Sequence, residues 1–204
     1  LLRARCRSCG APISIRYPLV EFANAAAWLA AWWWADANGQ LPMLPLMLVL
    51  VSGLLALALI DVDHHRLPDA IVLPLQGVTV LGLALAVWLG AEARWLEAVY
   101  GAAIWVTVIG ALWLLTRGRG MGLGDVKLAP VLGATLGWVG VGAAAVGIFA
   151  AFGVGALVGI GLLLVRRAGR RTQVPFGPFL IAGWVVGLVW GPALWTWYSG
   201  LGGA

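Results

Sequence analysis

The chain has 204 residues, of which 62% are hydrophobic and 10% charged, and its formal net charge is +5. Soluble globular domains carry roughly 25% charged residues, so the composition excludes water as the main solvent and, with it, the soluble enzyme classes. Excess positive charge in a soluble protein would point to nucleic acid; here it is first a topology signal, and no nucleic-acid partner is expected.

About 20 mostly apolar residues cross a hydrocarbon core of roughly 30 Å, and lipid forces such a run to be helical because it must satisfy its own backbone hydrogen bonds. Apolar runs predict about seven spans, at residues 19 to 37, 42 to 60, 70 to 90, 96 to 115, 126 to 141, 143 to 165 and 178 to 198. The predicted fold is an all-α polytopic membrane protein, a bundle of about seven transmembrane helices with its active-site loops in the cytoplasm. A cytoplasmic appendage over 1–18 precedes the membrane domain over 19–204. The 13 Trp and 29 Gly suit this reading, since Trp favours membrane interfaces and Gly lets membrane helices approach closely. Gly137, Gly140 and Gly142 are the only turn signal between the fifth and sixth runs, which leaves open a pair of helices or one kinked or re-entrant element. The chain begins at Leu1 rather than Met and shows no charged-then-apolar leader, so a further N-terminal segment is expected.

With the N-terminus inside, twelve of the thirteen basic residues fall on the inner side: Arg3, Arg5, Arg7, Arg16, Arg66, Arg117, Arg119, Lys127, Arg166, Arg167, Arg170 and Arg171. Only Arg94 falls outside, in the turn with Glu92 and Glu97. The positive-inside rule therefore predicts that the loops at 61 to 69, 116 to 125 and 166 to 177 face the cytoplasm. The arginine cluster at 166 to 171 reads as a topology determinant with a secondary attraction to anionic lipid headgroups.

Of eight acidic residues, Glu21, Asp61, Asp63, Asp69 and Asp125 lie at this inner side. Ionised groups at a membrane boundary are costly when dehydrated and are functional candidates by default. Asp61 and Asp125 each sit at the end of a predicted span, where helix packing can fix their separation. Two carboxylates brought close would share a proton, one activating water while the other protonates the leaving group. An alternative reading is open: loop charges balanced by Arg66, Arg117, Arg119 and Lys127. Asp69, after Pro68, reads as a cap for the span starting near Ala70, and Asp63 as solvated. Lys127 and Arg66 are candidates to tune the pair. His64 and His65 read as loop residues beside it.

The stretch from Ile60-Asp61 to Leu67-Pro68-Asp69, the box Gly122-Leu123-Gly124-Asp125 and the element Pro175-Phe176-Gly177-Pro178-Phe179 follow in order. Ahead of them stand Cys6-Arg7-Ser8-Cys9, Pro12-Ile13-Ser14 and Arg16 to Glu21. Together these resemble the type IV prepilin leader peptidases, a family of GxGD-type aspartyl proteases. The resemblance implies catalytic aspartates at Asp61 and Asp125, supported by Asp63, Asp69, Gly122, Gly124 and Lys127. It also implies removal of a short basic leader from prepilin or pseudopilin precursors, just before their apolar helix, at the cytoplasmic face of a prokaryotic inner membrane. Pro175, Phe176, Gly177 and Pro178 are candidates to shape a substrate groove or, equally, to form a rigid helix start.

Many members of the family carry two CxxC pairs in a cytoplasmic segment, thought to bind zinc, and many methylate the new N-terminus with S-adenosylmethionine. This chain has Cys6 and Cys9 alone, half of the four ligands a closed zinc site needs, and a pair of reduced thiols is the other reading. Glu21 matches the glutamate of the methyl-transfer segment, while Asn24 and Ala25 stand where a glycine is common. No cofactor is expected for peptide hydrolysis. An ion or proton-coupled transporter using boundary aspartates is the alternative from another class; it requires polar residues within the spans, and Ser52, Gln76, Thr79 and Thr107 are few.

Overall fold

Seven α-helices form along the apolar runs, in a computed structural model that describes residue 9 and residues 11–119, 121–164 and 175–201. They are α1 (Arg16–Ala37), α2 (Leu44–His64), α3 (Asp69–Trp88), α4 (Trp95–Thr116), α5 (Leu123–Val139), α6 (Val141–Leu164) and α7 (Gly177–Leu201). Cys6, Gly120, Arg3, Arg5, Arg7 and the cluster Arg166, Arg167, Arg170 and Arg171 lie outside the described residues. Five helices, α2, α3, α4, α6 and α7, are long and apolar enough to cross a membrane, and the chain is an all-α polytopic membrane protein. The other two fall short: α5 has 17 residues, and α1 carries Arg16, Glu21 and Asp36 along with four Trp.

Two predicted boundaries move. The fifth and sixth runs are separate helices, broken at Gly140, which caps α5 before Val141 opens α6. The span predicted to end at residue 60 continues through Asp61, Val62 and Asp63 to His64. It stops where His65 takes the left-handed conformation, φ +53°, and its N–H returns to the Asp61 carbonyl at 2.8 Å.

Glycine makes the helix contacts close, as expected where dispersion and backbone approach replace the hydrophobic effect. Gly133 and Gly137 on α5 receive Gly101 of α4; a Cβ on Gly101 would fall 2.6 Å from the Gly137 Cα. On α7, Gly183, Gly187 and Gly191 run past Ala143, Gly147 and Ala151 of α6, where a Cβ on Gly187 would meet the Ala143 carbonyl at 2.8 Å. The short helix α5 is the centre of the bundle: it packs on α3, α4, α6 and α7 and buries most of its side chains.

Several polar side chains within the bundle are bonded to neighbouring helix groups, as low-dielectric surroundings favour. Thr79 Oγ1 donates to the Leu75 carbonyl at 2.7 Å and Gln76 Nε2 to the Lys127 carbonyl at 2.7 Å. Thr135 donates to the Val131 carbonyl and accepts Trp184 Nε1 at 2.8 Å. At the end away from the aspartate loops, Arg94 Nη1 donates to the Trp138 and Val139 carbonyls at 3.2 and 3.0 Å, covering the orphan acceptors that end α5.

Candidate active site

The C-terminal ends of α2 and α4 and the N-terminal ends of α3, α5 and α7 share one end of the bundle, and both candidate aspartates lie there. Asp61 occupies the last turn of α2. It is 5% exposed, and its Oδ2 accepts the backbone N–H of Gly177 at 2.9 Å. Gly177 opens α7 with Pro178 behind it, and the first N–H groups of a helix have no partner inside that helix. The buried carboxylate supplies the missing acceptor. A Cβ at Gly177 would lie 2.7 Å from that same Oδ2, so any larger residue there must push the carboxylate aside.

Asp125 lies in the first turn of α5 and is 6% exposed. Its Oδ2 accepts the N–H of Gly122 at 3.0 Å, while its own N–H donates to the Gly122 carbonyl at 3.2 Å. This is a capping box in which the glycine backbone replaces the usual Ser or Thr side chain. The Asp125 Oδ1 is buried with no hydrogen-bond partner among the described residues, where burying a polar atom without a partner costs free energy.

Leu67 joins the two halves. Only three residues separate His64 from Pro68-Asp69, and within that short link the buried Leu67 side chain packs between the starts of α5 and α7. A Cβ on Gly124 would meet the Leu67 Cβ at 2.8 Å, and one on Gly177 would meet its Cδ2 at 3.3 Å. The glycine of the box thus lets α5 come up to the short link that follows the Asp61 end of α2.

The remaining candidates fall elsewhere. Asp69 is the first residue of α3 and makes no side-chain cap, since Pro68 holds the N-cap position. Instead it binds Lys127, whose Nζ reaches its two oxygens at 2.8 and 2.6 Å. Lys127 is therefore engaged by Asp69 and does not face the pair. Asp63 is not simply solvated: it pairs with Arg16 at the start of α1. The balancing-charge reading of Asp61 and Asp125 does not hold among the described residues, where the ion pairs involve Asp63, Asp69 and Glu97. Phe176 packs against Phe152 of α6 and Phe179, with centroids 5.4 and 5.9 Å apart, so the Pro-Phe-Gly-Pro element seats α7 on α6 and aims one N–H at Asp61. That N–H and Leu67 escaped the sequence reading. The Gly-Pro helix start was the available signal for the first, and nothing short of the fold marks the second.

Glu21 lies by a cavity of about 480 Å³ between α1 and α2, whose polar lining is Glu21, Asn24 and Ser52 and which reaches Ile60. Cys9 is exposed. No group of three or more His, Cys, Asp or Glu side chains able to hold a metal occurs among the described residues. The two thiols of this chain alone do not complete a tetrahedral zinc site.

A family model described as "Type IV leader peptidase family" matches residues 48–165, and one described as "Bacterial Peptidase A24 N-terminal domain" matches residues 1–35. Three relatives share the name prepilin leader peptidase/N-methyltransferase. That of Aeromonas hydrophila is 43% identical over 97% of this chain and 66% of its own length. That of Stutzerimonas stutzeri is 41% identical over 93% and 64%, and that of Legionella pneumophila 33% identical over 98% and 68%. The chain spans about two thirds of the length of the curated relatives it matches. No solved structure matches.

Proposed function

We propose, for a chain that belongs to the type IV leader peptidase family, that Asp61 and Asp125 hydrolyse the bond between a short basic leader and the apolar helix of prepilin or pseudopilin precursors. The observation that carries this reading is a pair of buried carboxylates from different helices, at one end of the bundle, each held by a glycine N–H. The pair shares one proton. One carboxylate takes a proton from a water held between them; the water oxygen bonds to the scissile carbonyl carbon, the carbon–nitrogen bond breaks, and the other carboxyl delivers its proton to the leaving amine. Each glycine contact leaves one oxygen per aspartate for this work, and on Asp125 that oxygen is the unpartnered Oδ1. The basic residues grouped at this end support a cytoplasmic site in an inner membrane. Incubating a precursor with the purified protein and sequencing the product tests the reading: the new N-terminus is the residue that opens the apolar helix, and a cut elsewhere contradicts it.

A second step, N-methylation of the new terminus, is supported by the names of the relatives and by the cavity beside Glu21. The cavity takes in Glu21 and Asn24 of α1 and extends to Ile60, near the end of α2 that carries Asp61. S-adenosylmethionine would supply the methyl group. Glu21 and Asn24 would bind and orient it, and Glu21 is the group able to take the proton lost by the amine. Mass spectrometry of the product gives a 14-dalton gain, about one methyl group, if this holds.

A further inference from the structure

Phe152 and Gly155 lie on α6 close to one turn apart, and the start of α7 rests on them. The Phe152 ring meets Phe176 with centroids 5.4 Å apart and planes inclined by 39°, and Phe176 meets Phe179 edge-on at 5.9 Å. Both separations fall where aromatic pairs attract. Gly155 leaves room for the two α7 rings: a Cβ there would stand 3.4 Å from Phe176 Cε2 and 3.3 Å from Phe179 Cδ2.

The peptide between Phe176 and Gly177 carries this contact to the candidate site. Its carbonyl accepts the N–H groups of Phe179 and Leu180 at 3.0 and 3.1 Å, and its N–H is the group donated to Asp61 Oδ2 at 2.9 Å. A trans peptide is planar, with its C=O and N–H pointing in opposite directions. Turning the unit therefore moves the donor that holds Asp61, and the Phe176 side chain is attached at one end of it. Among the described residues, the Gly177 N–H is the one hydrogen-bond donor to the Asp61 side chain.

We propose that Phe152 is a positioning residue for Asp61, acting through the Phe176 ring and the Phe176–Gly177 peptide. The inference rests on the peptidase reading above, which makes Asp61 a reacting group. Removing the Phe152 ring frees Phe176 to shift on α6, and the Gly177 N–H shifts with it. A displacement of about 1 Å at a reacting group costs on the order of 100-fold in rate. A partial loosening of its holder is expected to cost about tenfold in kcat, with KM nearly unchanged, because the scissile bond and not the bulk of the substrate senses Asp61.

The test has a readout independent of activity. Phenylalanine precedes glycine at two places in the chain, 152–153 and 176–177, so carbonyl-13C phenylalanine with 15N glycine selects two amide signals by NMR. Phe152→Ala leaves only that of Gly177. In the full chain in detergent, exchange of this amide with deuterium is expected to quicken about tenfold in Phe152→Ala, as it does in Asp61→Asn, because the hydrogen bond opens more often. Gly155→Ala, which presses gently on both α7 rings, is expected to move the exchange and kcat in the same sense by less and keeps the test available if Phe152→Ala does not fold. Phe152→Leu, which fills most of the space, is expected to restore most of both. Ile148→Ala, which trims another buried α6 side chain, is expected to lower the thermal midpoint and leave the Gly177 amide and kcat as they were.

In a Gly177→Ala background, Phe152→Ala is expected to cost no more than about twofold further, since the holder is already displaced. Unchanged Gly177 exchange in Phe152→Ala and Gly155→Ala, an equal loss of kcat in Ile148→Ala, or fully additive losses in the Gly177→Ala background would overturn the proposal. Quickened Gly177 exchange beside an Asp61→Asn variant that still cuts the precursor supports the positioning contact and removes the peptidase reading; unchanged exchange beside an inactive, folded Asp61→Asn does the reverse.

Discussion

The Asp61 carboxylate is held by a different helix: its Oδ2 accepts the Gly177 N–H at 2.9 Å, while Gly177 leaves no space for a Cβ, which would sit 2.7 Å from the same oxygen. The hydrogen bond and the missing side chain are one device. They bring the carboxylate to the start of α7 and stop it turning elsewhere.

Gly177→Ala therefore pushes Asp61 off its position without touching Asp125. A displacement of about 1 Å at a reacting group costs on the order of 100-fold in rate, and kcat of the alanine variant is expected to fall by that amount while the thermal midpoint shifts little. Gly122→Ala is the milder change, because a Cβ there would stand 3.3 Å from the Asp125 Oδ2 and the N–H donor remains. Steady-state cleavage kinetics beside thermal melts of both variants check the order.

Lys127 and Asp69 join the start of α3 to the first turn of α5. Their side chains are 31% and 53% exposed, so the pair contributes no more than about 1 kcal/mol to stability. Lys127→Met and Asp69→Asn are each expected to lower cleavage several-fold by loosening the Asp125 turn, and the double variant is expected to be no worse than either single one. Additive losses in this cycle would mean that the two residues act separately.

Helix seams respond to added volume by position. A Cβ at Gly137 would fall 2.9 Å from the Gly101 Cα, whereas Gly153 faces open space. Gly137→Val is expected to lower stability by about 1 to 3 kcal/mol or to prevent folding, while Gly153→Ala leaves the melt unchanged. Unfolding in detergent measures both.

Hydrolysis by a carboxylate pair uses no metal ion. Chelation is expected to leave the cleavage rate within about twofold of the untreated enzyme, as are Cys6→Ser and Cys9→Ser. A chelator that abolishes cleavage, with activity restored by zinc, would transfer the chemistry from the aspartates to a metal site.

The helices were legible because long apolar runs in lipid have few alternatives to helix, and all seven predicted spans correspond to helices within a few residues. Asp61 and Asp125 were legible as boundary charges in an otherwise apolar chain. The last turn of α2 was not: Asp61, Val62, Asp63 and His64 have the polarity of a loop, and only tertiary contacts carry the helix through them. The partners of the acids were hidden for a different reason. Asp69 and Lys127 are 58 residues apart, and Asp61 and Gly177 are 116 apart; spacing along the chain does not report such pairings. Leu67 looked like any other apolar residue, and its place between Gly124 and Gly177 belongs to the assembled bundle.

The central claim is that Asp61 and Asp125 act as one pair. Purified wild-type protein, Asp61→Asn, Asp125→Asn and the controls Asp63→Asn and Asp36→Asn should be compared for cleavage of a prepilin-like precursor in detergent, with folding of each verified by melting. The account predicts that the first two variants stay folded and lose cleavage entirely, while both controls retain it. Cleavage surviving in either Asp61→Asn or Asp125→Asn would contradict it.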